Sequence, residues 1–278
     1  MIENLSNCFE PWVERFYRNQ VKLLPPSVRM LDPLLKKSFT RNVLRFGNEL
    51  LLPGDLGHIL ARKYFASSVI QNFVKNNHGQ LLHLGSGFDH SSLLCARLGM
   101  HTFEMDFLPV NSQQENHDWL KEYIHDPNYF HSTSLDLTME NPVQKLLQTP
   151  DFDPYKPTLI LTHGLFEYLP EMTIHRLVNQ ISRQISGPLT WHTTLFDLFG
   201  MTPIRRKILT TAVNSVGEKV IYYDSISKQM SMFRKQGWAL QEKLDANKMS
   251  RILRKQTGVN TKILPGFYVM KYSPPPLV

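Results

Sequence analysis

The chain of 278 residues is long enough for one large domain or two small ones, at the usual ~100–200 residues per domain. Its 42% apolar and 20% charged residues are ordinary globular composition, which argues against a disordered tail, a collagen or a small disulfide scaffold. The excess of 31 basic over 24 acidic residues gives a net charge of +7, gathered only in short clusters (Lys36-Lys37 with Arg41 and Arg45; Arg205-Arg206-Lys207; Arg251 with Arg254-Lys255) that read as solvated helix faces, so no nucleic-acid partner is expected.

The first seven residues lack a basic segment followed by an apolar one, and no apolar run reaches the ~18 residues that cross a bilayer. Cys8 and Cys95 lack metal or CxxC spacing and read as unpaired thiols of a reducing compartment. The expectation is a cytoplasmic protein without a membrane partner.

The first ~75 residues read as helical. Phe9, Trp12, Val13, Phe16 and Tyr17 form one buried face, and Pro25-Pro26 ends that pattern. A second helix is expected from Leu56 to Val74, closing near Gly79. From Gln80 onward, short apolar runs alternate with helical stretches. The runs are Leu81–Leu84, His101–Met105, Tyr129–Leu135, Thr158–Thr162, Leu189–Phe196, Trp238–Leu244 and Gly266–Tyr272. Helices are expected at Ser91–Leu98, Val143–Gln148 and Met172–Ile185. Such alternation predicts parallel strands with crossover helices, and the turn at Pro265-Gly266 predicts an antiparallel last strand.

The sharpest local feature is Leu84-Gly85-Ser86-Gly87-Phe88-Asp89, directly after the first strand. Gly85 and Gly87 let the main chain turn tightly and approach a ligand, while a following helix offers free N–H groups to an anionic group. His90 stands where a dinucleotide fingerprint wants its third glycine, so a ligand without a pyrophosphate fits better, such as S-adenosyl-L-methionine. A ribose diol wants a carboxylate about 20 residues further on. Glu104 and Asp106 lie there on one side of the second strand, and either serves.

These residues, with Phe103–Pro109 and Pro157-Thr158-Leu159-Ile160-Leu161-Thr162-His163-Gly164-Leu165-Phe166-Glu167-Tyr168-Leu169-Pro170, resemble the leucine carboxyl methyltransferase family. Its motifs are LGAGxDTR, (F/Y)EVDxP and EGxxxYL(P), and the likeness runs roughly from Arg62 to Leu169. It implies an α/β, Rossmann-like class I methyltransferase fold: a seven-stranded, mostly parallel sheet with an antiparallel last strand, N-terminal helices and a helical lid. The corresponding division is a helical cap (1–78), a cofactor-binding core (79–196), a lid insertion (197–232) and C-terminal core strands (233–278). The implied cofactor is S-adenosyl-L-methionine. Gly85, Ser86 and Gly87 would line its methionine part, and Asp106 would hold the ribose. Asp136 and Leu137 would flank the adenine, and Arg62 would grip the carboxylate through paired hydrogen bonds.

Two positions depart from the family pattern. Asp89-His90-Ser91 replaces Asp-Thr-Arg, and His163 replaces the glutamate that sits near the cofactor's ammonium. A neutral imidazole can still accept a hydrogen bond from an ammonium, and Glu167 is a nearby carboxylate.

The implied reaction is O-methylation of a carboxylate or hydroxyl on a small molecule or a protein C-terminus. A hydroxyl needs a general base, for which His163, Tyr168 and His192 are the candidates. The other class of reading is a non-catalytic relative that binds the cofactor and serves as a regulatory partner. RNA methylation is disfavoured, since no Asn-Pro-Pro-Tyr type motif appears.

Overall fold

The computed structural model describes residues 53–76, 79–87, 91–107, 124, 126–215, 219–222 and 224–274. The helix expected over Phe9–Val21, Cys8 and the Phe88-Asp89-His90 stretch lie outside the described residues. The described part forms two compact units.

The larger unit, residues 62–199, 220–244 and 268–278, carries most of a seven-stranded sheet. Its strands are β1 (Gln80–Leu84), β2 (Thr102–Asp106), β3 (Phe130–Ser134), β4 (Thr158–Thr162), β5 (Leu189–Phe196), β6 (Ala239–Asp245) and β7 (Phe267–Ser273). The order across the sheet is β3-β2-β1-β4-β5-β7-β6. The pairs from β3 to β5 are all parallel. The last strand is antiparallel, as the turn before it predicts.

Expected and observed strands agree to within a residue at each end, and β4 and β5 coincide with their apolar runs. The reason is burial: β1 and β4 are buried along their whole length, so an uninterrupted apolar run is what a central parallel strand requires. β3 and β6 are the edge strands, and Ala239–Glu242 of β6 are exposed.

The described α-helices are α1 (Asp55–Asn76), α2 (Leu93–Arg97), α3 (Pro142–Leu147), α4 (Glu171–Gln184), α5 (Pro203–Ser215), α6 (Ile226–Lys235) and α7 (Ala246–Thr257). In α4, Ile174, Leu177, Val178 and Ile181 recur at the 3–4 spacing and are buried. They join a core cluster with Leu82, Leu84, Phe103, Met105, Ile160 and Trp191 from one face of the sheet. Trp191 anchors it. Its indole N–H donates to the Thr162 hydroxyl at 2.8 Å, and its ring meets Phe233 and Trp238 edge-on. Phe233 in turn stacks on Tyr272 of β7. Each such side chain contributes about 1.5–3 kcal/mol by leaving water.

The smaller unit comprises, among the described residues, 53–61, 200–215, 219 and 245–267. Within it, the start of α1 meets the segment before β7: Leu264 N–H donates to Gly54 O at 3.0 Å. Its helix α7 is not announced by the apolar runs, because its face toward the interior rests mainly on Met249 and Leu253. Asp245 caps it by accepting from Lys248 N–H, and Gly258 ends it in the left-handed conformation. Among the described residues no helix is long and apolar enough to cross a membrane. Cys95, the one free cysteine among them, is buried, which pushes its thiol up to about 12.

Candidate active site

The C-terminal ends of β1 to β5 lie on one edge of the sheet because the strands are parallel. From β1 the chain moves outward through β2 and β3, and then returns to β4 on the other side of β1. That reversal opens a crevice outside the ends of β1 and β4, where α/β folds bind ligands.

The loop after β1 lies in this crevice. Gly85 and Gly87 both have positive φ, 65° and 52°. A Cβ on Gly85 would come within 2.5 Å of Leu165, so only glycine lets the loop after β1 touch the loop after β4. A Cβ on Gly87 would meet nothing within 4 Å. Gly87 thus bares its backbone to open space, as a ligand cradle requires. Ser86 between them is buried.

Asp106, at the end of β2, reaches back to this loop and accepts the Gly87 N–H through Oδ2 at 2.5 Å. Burial raises its carboxyl above the usual carboxylate range, and the Gly87 N–H opposes that shift. Glu104 has a different environment. It is 3% exposed, accepts the Ser92 hydroxyl, and lies 3.7 Å from His83 Nδ1. This trio ties β1 and β2 to the start of α2. Of the two acids the sequence leaves open, Asp106 is the one at the cradle.

After β3, Asp136 accepts from the amide and hydroxyl of Thr138 at 2.8 and 2.6 Å. These bonds hold its carboxyl below the usual range and close a tight turn. Arg176 of α4 fastens that turn, donating from Nη2 to the carbonyls of Leu137 and Thr138, each at 2.8 Å. Sequence reasoning missed Arg176, which sits 38 residues from Thr138 and is marked by no motif.

After β4 the chain passes buried His163 and then Gly164, with φ of 65°. A Cβ at Gly164 would fall 2.5 Å from Arg62 Nη1. The α1 arginine named from the sequence therefore lays its guanidinium against the loop after β4. Gly164 N–H donates to the Thr194 hydroxyl at 2.8 Å, which fixes this loop to β5.

His163 Nε2 and His192 Nδ1 are 2.7 Å apart, a hydrogen bond between two buried imidazoles. Burial, reinforced by the Lys271 charge, pushes His192 down to about 3. It is therefore neutral at pH 7, and one ring donates while the other accepts.

Glu167 lies in the helical turn Phe166–Tyr168, which ends with half-buried Tyr168. The Glu167 carbonyl accepts the amides of Ile221 and Tyr222 at 2.8 and 3.1 Å. Its carboxyl oxygen Oε2 is buried and accepts no hydrogen bond. Burial raises the carboxyl to about 7, while the Arg62 charge pulls the other way.

A family model described as leucine carboxyl methyltransferase matches residues 16–182, more than half of the chain. The chain belongs to the leucine carboxyl methyltransferase family. The match spans the Gly85–Gly87 loop, Asp106, Asp136 and the His163–Tyr168 segment, and the cofactor that goes with this membership is S-adenosyl-L-methionine. No curated protein matches the sequence. Among solved structures, a protein of the DUF574 family from Streptomyces avermitilis is similar with a TM-score of 0.63 at 9% identity, covering 82% of this chain and 88% of that one. An S-adenosylmethionine-dependent methyltransferase from Mesorhizobium loti is similar with a TM-score of 0.52 at 11% identity, covering 74% of this chain and 96% of that one. These likenesses are of fold, and the fold is that of class I methyltransferases.

Proposed function

We propose that this methyltransferase-family chain moves a methyl group from S-adenosyl-L-methionine to an oxygen, a carboxylate or hydroxyl on a small molecule or a peptide terminus. The observation that carries the reading is the convergence of Arg62, the Gly85–Gly87 cradle and Asp106 on the crevice at the strand reversal. The donor set suits the cofactor. Arg62 is a guanidinium for its carboxylate, and Asp106 is an acceptor for its ribose diol. The turn at Asp136 and Leu137, held by Arg176, borders the adenine side.

His163 stands where the family has a glutamate. Its partner His192 is held neutral by burial, so that second ring adds no positive charge beside the ammonium. Glu167 restores the missing carboxylate. Its buried oxygen has no hydrogen-bond donor, and an ammonium would supply one.

The bound cofactor supplies an electrophilic methyl on a positively charged sulfur. The chain's residues align the acceptor and exclude water. A carboxylate acceptor arrives ionised and needs no base. A hydroxyl acceptor gives up its proton, and His163 can take it when His192 orients the ring. Tyr168 is the other candidate side chain on that loop.

Titration calorimetry of the full chain with S-adenosyl-L-methionine and with S-adenosylhomocysteine tests the first half of this reading. One site per chain is expected for each. A folded sample that gives no heat with either would overturn it. Methyl transfer to oxygen is then read by mass spectrometry over carboxylate and hydroxyl acceptors.

A further inference from the structure

At the opposite end of the sheet, His101, His131 and Asp151 each present one ligand atom, and these atoms lie within 4.8 Å of one another. His101 immediately precedes β2, His131 is the second residue of β3, and Asp151 lies between α3 and β4. Phe103 pairs with His131 in the sheet register, so the side chains of His101, Phe103 and His131 share a face. Five residues of extended chain, roughly 16 Å, separate His101 from the cradle carboxylate Asp106.

We propose that His101, His131 and Asp151 form a binding site for a divalent transition-metal ion, zinc by preference. Two imidazoles and a carboxylate with an open fourth position are a donor set that suits zinc, with water completing a tetrahedron. His131 Nε2 and Asp151 Oδ2 are already 3.5 Å apart, close to the ~3.4 Å that separates two ligands of a tetrahedral zinc ion. The His101 ligand atom lies within 4.8 Å of the other two, a gap that binding would close by rotation of the exposed Asp151 and a small shift of the rings.

The imidazoles are held in place beforehand. His131 stacks on Phe103 with centroids 5.0 Å apart and planes 9° from parallel, and His101 packs against Tyr129 at 4.8 Å. His101 Nδ1 is buried and makes no hydrogen bond, so no partner fixes which ring nitrogen carries the proton. Asp151 is the one non-glycine residue among those described with positive φ, 65°. Its side chain is 49% exposed, which leaves a path for an ion. A bound ion joins three segments: the start of β2, the edge strand β3, and the loop before β4. Its role is a clip on the sheet edge, apart from the methyl-transfer crevice.

The test uses the full chain stripped of metal by a chelator and then dialysed, with zinc or cobalt(II) as the only added ion. One equivalent of cobalt is expected, with visible d–d absorption of a tetrahedral N/O site, and zinc should raise the unfolding midpoint by about 3–5 °C. Asp151→Asn keeps a residue that tolerates the left-handed backbone, and His131→Phe keeps the stack on Phe103. Each should lose the cobalt spectrum and the thermal shift while circular dichroism stays native. Absence of stoichiometric uptake would overturn the proposal. So would uptake that both folded variants retain, because the ion would then sit elsewhere.

Discussion

The Gly87 amide donates to the Asp106 carboxylate at 2.5 Å, so the loop after β1 and the end of β2 form one unit before any ligand arrives. Replacing Asp106 therefore has two consequences: it removes the proposed acceptor for a ribose diol, and it frees the loop. Asp106→Ala should weaken cofactor binding by roughly 1–3 kcal/mol, the scale of lost charge-assisted hydrogen bonds. Asp106→Asn keeps an acceptor for the Gly87 amide and should recover part of the loss. Equal affinity of wild type and alanine variant in calorimetry would remove Asp106 from the site.

The two cradle glycines should separate stability from binding. An alanine at Gly85 must displace Leu165, in addition to holding positive φ. Gly85→Ala should lower the unfolding free energy by roughly 2–4 kcal/mol. An alanine at Gly87 meets no protein atom, so Gly87→Ala costs about 1–2 kcal/mol of backbone strain, yet puts a methyl group into the cradle. Its affinity for S-adenosylhomocysteine should fall at least tenfold, while the unfolding free energy drops by only that strain, less than for Gly85→Ala. Tight binding by folded Gly87→Ala would mean the open space at Gly87 is not the ligand's.

Most of this cradle is legible in the sequence, because it is local. Gly85, Gly87 and Asp106 keep their spacing whatever the rest of the chain does. The strands are legible for the same reason: a central parallel strand such as β4 must be an apolar run. Long-range pairings are not. His163 and His192 are 29 residues apart and meet only because β4 and β5 register Thr162 against Thr193. Whether Glu104 or Asp106 reaches the loop after β1 is likewise decided by a neighbour, Ser92, whose hydroxyl engages Glu104. The His101, His131 and Asp151 cluster draws on three segments and leaves no spacing signature.

Glu167 should report cofactor binding through its proton. Its carboxyl is raised to about 7 in the free protein, so near neutral pH it is protonated in part of the molecules. An ammonium docking beside it favours the ionised form and expels that proton. Calorimetry at pH 7 in buffers of different ionisation enthalpy should show net proton release, and affinity should rise from pH 6 to pH 8. Glu167→Gln should abolish the release and weaken binding by roughly 1–3 kcal/mol. Unchanged proton release in Glu167→Gln would assign it to another group.

Glu167 and His192 should also oppose each other in the acid stability of the free protein. His192 falls from its ordinary 6.5 to about 3 on folding, so between these values the unfolded chain binds a proton that the fold refuses. Its contribution makes stability rise with pH up to about 6.5 and stay level above it. Glu167 rises from 4.5 to about 7, so the fold keeps a proton that the unfolded chain releases. Its contribution is complete below 4.5 and fades as pH climbs to about 7. Between 4.5 and 6.5 the two slopes cancel, each limited to about 1.4 kcal/mol per pH unit. Urea unfolding from pH 4.5 to 7.5 should separate them. Glu167→Gln should leave the rising slope, and His192→Asn the falling one, relative to wild type. The slope carries the result, so an overall loss of stability from the buried asparagine does not obscure it. Identical slopes in the two variants would show that neither buried group titrates as its surroundings demand.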